Sequence, residues 1–475
     1  MGTIFRHCDN CRTMLKNAPS ELRNVLQVGI ADPSHDLNHQ DMALGGIIRG
    51  AIAKGGGWIG FDAFMSLALY APGLGYYANA SAKFGLWPAD ALRGQSAGGQ
   101  GGESGDGGEG GDGADESPGQ VGKSDAEIRG GSDFVTAPEM TPLFGQTLAT
   151  QVAQALQATG TVEVWEFGAG SGALALQLLD ELALLNVPLA RYSIVDVSGT
   201  LRARQQQRLL AHGDTVRWVD SLPEQMHGVV VGNEVLDAMP VKLLVRKNGV
   251  WFERGVALAG PDGSEGNDGR GANDADARRT PALGWADRPT DLRPPIEVPG
   301  PHDYLTEIHP QAEAFIRTLA DRLTRGAAFF IDYGFPEAEY YHPQRHMGTV
   351  MCHRQHRSDS NPLADVGRKD LTAHVNFTGI ALAAQDAGLE VLGYCTQARF
   401  LMNCGLLARL DKATLQDKVM AQKLIMEHEM GELFKVLGFH KPGLANGLQH
   451  DVARRVMNEP WQPMGFAQGD RTHTL

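Results

Sequence analysis

Long apolar runs are missing from this chain. Nowhere does it hold the roughly 18 consecutive apolar residues that a membrane-spanning helix needs, which excludes a helical span. Cysteine is scarce as well. The five are Cys8, Cys11, Cys352, Cys395 and Cys404, an odd and scattered set. Such usage excludes a disulfide framework and fits a reducing compartment. No apolar stretch follows the first residues, so no secretory signal is read. Arg6, Arg12, Lys16 and Arg23 have the basic tone of a transit peptide, but Asp9 and Glu21 interrupt it. The expected location is cytoplasmic, or the mitochondrial matrix if the source is eukaryotic. Basic residues are in deficit, 42 against 56 acids, for a net charge of −14. That balance argues against nucleic acid as the main partner. Cys8 and Cys11 have CxxC spacing, yet no second pair completes a four-ligand zinc site. No metal is expected.

What is present is uneven. Between Gly94 and Gly131, 15 of 38 residues are glycine, with eight acids and two bases. Such a segment buries too little apolar surface to offset its ordering entropy and reads as a disordered insertion. A second polar stretch, 260–300, reads the same way. The remaining boundaries follow: a flexible leader over 1–41, an N-terminal helical segment over 42–93, a ligand-binding core over 132–259, the rest of the core with a substrate region over 301–410, and a C-terminal helical tail over 411–475. In that tail Leu415, Val419, Leu424, Met426, Met430, Leu433, Phe434 and Leu437 recur at helical spacing, as a core or oligomer face would. A homo-oligomer is therefore one possible assembly.

Between the insertions, short β-branched runs alternate with helical ones: "VEVWEFG", "GALALQLLDELALL", "RYSIVDVS", "LRARQQQRLLAH", "TVRWVDSLP", "GVVVGNEVL", "PQAEAFIRTLADRLTRG" and "AAFFIDYG". This pattern predicts an α/β fold, a Rossmann-like parallel sheet with helices on both faces. Ligands of such sheets lie at the carboxyl ends of the strands. Gly168, Gly170 and Gly172 fall at the first of those ends. A phosphate loop would continue as Gly-Lys-Ser/Thr, and a dinucleotide fingerprint would read G-x-G-x-x-G. The pattern here is one residue shorter, G-x-G-x-G, preceded by Glu166. It suits a ligand without a pyrophosphate, such as S-adenosylmethionine. Asp196 then stands where a carboxylate accepts from ribose hydroxyls, Asp220 where an acceptor takes the adenine amino group, and Asn233 beside the space for the methyl group.

The stretches "GWIGFDAFMSLALYAPGLGYY", "DFVTAPEMTPLFG", "EFGAGSG", "NEVLDAMPV", "IDYGFPEAEYYHPQR", "GTVMCHRQHR" and "LTAHVNFT" resemble the MidA-like class I S-adenosylmethionine-dependent methyltransferases. The resemblance runs from about Trp58 to about Gly405 and omits both the leader and the glycine-rich insertion. It implies a class I methyltransferase fold. Mitochondrial members of that family are protein arginine methyltransferases that assist respiratory complex I assembly, so it also implies a protein substrate, a respiratory complex subunit among the candidates.

A guanidinium substrate is charged and delocalised, with a pKa above about 12. Two carboxylates can hold it bidentately and aim one nitrogen. Glu234 and Asp237 in "NEVLDAMP" are three residues apart, so one turn directs both to one side; they are the expected catalytic pair. Glu139, beside the stiffening Pro138, is expected to line the acceptor pocket, with Tyr76 and Tyr77 as its aromatic wall. Asp332 and Tyr333 shape the acceptor side or anchor the sheet edge. The cluster of His342, His346, Cys352, His353 and His356 matches no familiar ligand spacing and reads as a solvated loop. The competing reading is a non-catalytic assembly or docking factor that retains the cofactor fold.

Overall fold

The computed structural model describes residues 37–79, 136–196, 199–259, 282–354, 357–442 and 461–475. Cys8, Cys11, His356 and the 94–131 insertion lie outside the described residues.

Sixteen strands are described: β1 (Trp58–Gly60), β2 (Glu163–Phe167), β3 (Arg191–Val195), β4 (Val216–Trp218), β5 (Met226–Asn233), β6 (Lys242–Lys247), β7 (Val250–Leu258), β8 (Leu283–Pro289), β9 (Tyr304–Ile308), β10 (Leu323–Phe335), β11 (Met351–Arg354), β12 (Arg357–Asp359), β13 (Asp370–Thr372), β14 (Val375–Asn376), β15 (Glu390–Thr396) and β16 (Phe434–Lys441). The central sheet runs β15-β16-β10-β5-β2-β3-β4, with β14 beside β10. From β10 to β4 every pairing is parallel. The period-2 pleat of buried strands divides their side chains between two cores. Val164, Val229 and Val231 join one core, and Trp165, Phe167 and Val230 the other. Helices α1 (Leu143–Thr159) and α2 (Ala173–Leu184) cover the first face. Helices α3 (Pro310–Arg322) and α4 (Phe377–Asp386) cover the second.

Three expectations are corrected. The tail read as helical over 411–475 is helical over Leu415–Ile425 but supplies β16, which pairs antiparallel with both β10 and β15. The sheet is therefore mixed. Val436, Leu437 and Phe439 are all fully buried, and burial on both faces between two strands overrides the helical spacing of Leu433, Phe434 and Leu437. The polar stretch 260–300 includes β8, antiparallel to β7. Arg254 grips Asp287 there through two hydrogen bonds of 2.9 and 3.0 Å, and Trp58 Nε1 donates to the Ala286 carbonyl. Finally, of the two readings of Asp332 and Tyr333 the sheet-edge one falls, because β10 is flanked by β5 and β16.

A second sheet, β1-β7-β6-β9 with β8 beside β7, is antiparallel. The N-terminal helices Leu37–Lys54 and Phe61–Tyr70 pack on it through Leu44, Ile48, Ile52, Phe61 and Phe64 against Leu243 and Val256. The His/Arg-rich segment forms a small sheet, β12-β11-β13, with Cys352 of β11 fully buried.

Candidate active site

The carboxyl ends of β2, β3 and β5 open into a cleft of about 1170 Å3, including solvent at its mouth. Its floor is the turn after β2. Gly168, Gly170 and Gly172 have φ of +64°, +55° and +82°, left-handed values that glycine adopts without steric cost. A Cβ on Gly168 would also sit 3.1 Å from Val235 Cγ2. Gln205 fixes this turn from below. Fully buried, its Nε2 donates to the Gly170 carbonyl and to Asp196 Oδ2, each at 2.8 Å, while its Oε1 accepts from Trp218 Nε1 at 2.8 Å.

Glu166, Gly168, Gly170, Asp196, Asn233, Glu234, Asp237, Glu139, Tyr76 and Tyr77 all line this cleft, while Gly172 and Asp220 do not. The Asp220 side chain is 81% exposed and pairs with Arg202. It follows a three-residue strand whose end turns it outward, so an adenine-accepting role is not supported by its placement. Glu139 sits at the glycine turn, where it accepts from Ser171 and, at 3.1 Å, from Arg208 Nη1.

Glu234 and Asp237 follow β5 on a turn built around Asp332. Asp332 Oδ2 accepts the backbone N–H groups of Val235, Leu236 and Asp237 at 3.1, 2.9 and 3.2 Å, and its Oδ1 accepts from the Tyr333 N–H at 3.0 Å. Glu234 holds a left-handed φ of +53°, secured by its N–H to the Ile331 carbonyl at 2.9 Å. Asn233 Nδ2 donates to Glu234 Oε1 at 2.9 Å. Asp237 is 4% exposed, and its Oδ1 has no hydrogen-bond partner; nor has Asn233 Oδ1. Leaving a buried carboxylate oxygen unmatched is costly, so this corner is suited to an incoming donor.

Burial, reinforced by the Asp237 carboxylate, pushes the Glu234 pKa up to about 8. Asp237 is pushed up to about 6 by burial, against hydrogen bonding from Tyr333. Glu166, which accepts the Tyr192 hydroxyl at 2.7 Å, is pushed up to about 8, again by burial. Burial, then the Asp237 and Glu234 charges, also raise Asp332.

Sequence reasoning missed Tyr70, Gln205, Asp370 and Thr372. Gln205 lies in the polar run "RARQQQR", where no periodicity marks an inward residue. Tyr70 ends its helix just before the Pro72 turn, and Asp370 opens a three-residue strand. Nothing local separates either from a surface residue.

Among the described residues, the cleft is lined by six carboxylates (Glu139, Glu166, Asp196, Glu234, Asp237 and Asp370) and by no lysine, arginine or histidine. A cation entering so acidic and desolvated a lining favours the ionised form of its carboxyl groups. Among the described residues, no cluster of metal-ligating side chains occurs, and no helix is long and apolar enough to cross a membrane.

Residues 147–395 match a family described as S-adenosyl-L-methionine-dependent methyltransferases. A crystal structure of a Burkholderia thailandensis protein described as a "likely methyl transferase", bound to S-adenosyl-homocysteine, is 42% identical. It covers 94% of this chain and 100% of that one, with a TM-score of 0.72. Among curated proteins, the mitochondrial protein arginine methyltransferase NDUFAF7 homologue of Caenorhabditis elegans is 25% identical, over 66% of this chain and 75% of its own length. Human mitochondrial protein arginine methyltransferase NDUFAF7 is 26% identical, over 63% and 69%.

Proposed function

Given that the chain belongs to the S-adenosyl-L-methionine-dependent methyltransferase family matched over residues 147–395, we propose that it transfers the methyl group to an arginine side chain of a protein. The observation that carries this reading is the cleft lined, among the described residues, by six carboxylates and no basic side chain. The arginine methyltransferase names of the relatives support it. The MidA-like resemblance extends it to a respiratory complex subunit as acceptor and to a part in complex I assembly, in the matrix or the cytoplasm according to the source.

The cofactor is S-adenosylmethionine, and the residues present fit it. A left-handed glycine turn brings bare backbone to the cleft, and the acidic lining suits a sulfonium. Gly168, Gly170, Gly172 and Asp196 would hold the cofactor, with Glu166 and Asn233 at its sides. When bound, it supplies an activated methyl group on a cationic sulfur.

The remaining work falls to the protein. Glu234 and Asp237 bind the guanidinium, hold its charge to one side and aim a nitrogen into the cleft; alignment of two bound reactants supplies roughly 7–11 kcal/mol of barrier reduction. With its pKa near 8, Glu234 carries a proton at neutral pH in the empty cleft. An arriving guanidinium favours the ionised carboxylate and displaces that proton to solvent. Asp332 keeps both carboxylates in place through the three N–H groups of the turn.

The test is methyl transfer from radiolabelled cofactor to proteins of a cell extract, followed by hydrolysis and amino-acid analysis. Label in methylarginine, lost in Glu234→Gln and Asp237→Asn, is the expected result. Label solely in another amino acid overturns the arginine assignment. If both variants bind cofactor, transfer nothing and still sustain complex assembly in cells, the docking-factor reading replaces the catalytic one.

A further inference from the structure

The acidic pair on the central sheet faces a second wall that the glycine turn and its carboxylates do not explain. Asp370 opens β13 and is 7% exposed. Its two carboxylate oxygens both lie 2.8 Å from the Tyr77 hydroxyl, which donates to them. Tyr77 stacks on Tyr70 with ring centroids 5.6 Å apart and an interplanar angle of 21°. The Tyr70 hydroxyl in turn donates to the Ala238 carbonyl at 2.7 Å, one residue beyond Asp237. β13 is fastened to the same turn directly, for the Ala373 N–H donates to the Asp237 carbonyl at 3.0 Å. Tyr70, Tyr77, Asp370 and Thr372 all line the cleft. Three buried side-chain oxygens of the cleft lining have no partner, Asn233 Oδ1, Asp237 Oδ1 and Thr372 Oγ1.

We infer that Asp370 is a third acceptor-binding carboxylate, placed opposite Glu234 and Asp237, and that Tyr77 is the positioning residue that aims it at a planar cation. This rests on the arginine reading and deepens it. A guanidinium presents donors along two edges and an aromatic-compatible face. The Glu234/Asp237 turn takes one edge, Asp370 the other, and the Tyr70–Tyr77 stack offers its face. An ammonium has neither the plane nor the second edge, so this arrangement selects arginine over lysine. Electrostatics agree: burial first and the Asp370 charge second raise both tyrosine hydroxyls, and Asp370 adds to the upward shift that burial and Asp237 impose on Glu234.

The experiment uses the full chain saturated with S-adenosylhomocysteine and two probes, N-acetyl-arginine amide and N-acetyl-lysine amide. Their affinities are read by titration in the wild type and in Asp370→Asn, Asp370→Glu, Tyr77→Phe and Glu234→Gln. The expected result is preference for the arginine probe and at least tenfold weaker binding of it in Asp370→Asn, with partial recovery in Asp370→Glu and S-adenosylhomocysteine affinity within twofold of wild type. Tyr77→Phe should raise KM for a protein acceptor more than it lowers kcat, because a misaimed carboxylate still carries its charge. If Asp370→Asn keeps full arginine-probe affinity while Glu234→Gln loses it, the inference is overturned and the arginine reading stands. If the wild type prefers the lysine probe, the arginine reading fails, and with it the edge-and-face argument for Asp370. Matching thermal unfolding of the variants, read alongside, separates loss of the subsite from loss of the fold.

Discussion

Gly168 concentrates three demands in one residue: a φ of +64°, a Cβ position 3.1 Å from Val235 Cγ2 and a place on the floor of the cleft. A left-handed conformation costs a residue with a Cβ roughly 1–2 kcal/mol, and Val235 must also give way. Gly168→Ala is expected to fold yet bind S-adenosylhomocysteine at least tenfold more weakly by calorimetry; unchanged affinity would remove the close-approach argument. These glycines were legible in the sequence because positive φ leaves a compositional trace. Gln205 was not, because its buried contacts depend on where α2's preceding turn and β3 end in space. Glu234 carries the second residue-level prediction. Its pKa in the folded protein lies near 8, above its ordinary value. Between about pH 5 and 8 the folded state therefore holds a proton that the unfolded chain has released, and stability falls as pH rises through that window. In cofactor-free protein, Glu234→Gln should flatten the decline of Tm across this range. Parallel wild-type and variant curves would show that Glu234 ionises normally.

At the scale of elements, the turn from Glu234 to Asp237 is held by the adjacent strand of the sheet, β10, not by its own sequence. Asp332, on β10, accepts three successive N–H groups of that turn. Hydrogen bonds to a charged group contribute about 1.5–3 kcal/mol each. Asp332→Asn, whose amide keeps one acceptor oxygen and replaces the other with a donor, should lower Tm and reduce kcat/KM at least a hundredfold, while S-adenosylhomocysteine affinity changes little. Loss of cofactor affinity equal to the loss of kcat/KM would place Asp332 under the cofactor instead of under the acceptor carboxylates. The sequence placed Asp332 at a strand end and left its task open between the acceptor side and a sheet edge, because the neighbour of β10 was hidden. That neighbour is β16, whose residues repeat apolar side chains at helical spacing. Strand pairing with β10 and β15 decided the outcome, a contact made with residues far away in the chain. The strand–helix alternation from β2 to β10, by contrast, was readable because each parallel strand is buried on both faces and reads as a continuous apolar run.

For the whole molecule, the parallel sheet supplies the glycine turn, Asp196, Glu234 and Asp237, while the N-terminal segment and β13 supply Tyr70, Tyr77 and Asp370. The cleft exists only where these parts meet, so its occupant should stabilise them together. S-adenosylhomocysteine at a hundred times its Kd is expected to add about 2.7 kcal/mol to the unfolding free energy. That addition should appear as one cooperative transition at higher Tm in scanning calorimetry. Two transitions, with only one moved by the ligand, would mean that the acceptor wall folds independently of the cofactor floor. This division also explains what the sequence could yield about the site. Asp196, Asn233, Glu234 and Asp237 follow the positional rule for parallel strand ends, which misled at Asp220; Tyr70, Gln205 and Asp370, delivered by other elements, follow no such rule.

A cavity walled in acid, and bare of basic groups among the described residues, has a discharge built into its chemistry. On the proposed arginine transfer it shelters two positive centres beforehand, one on sulfur and one on nitrogen; afterwards the sulfur would be neutral and a single cation would remain, with a proton shed to the surroundings. The walls thus loosen their grip on the spent nucleoside at the moment it becomes useless, so that turnover is favoured by the same charges that gather the reactants.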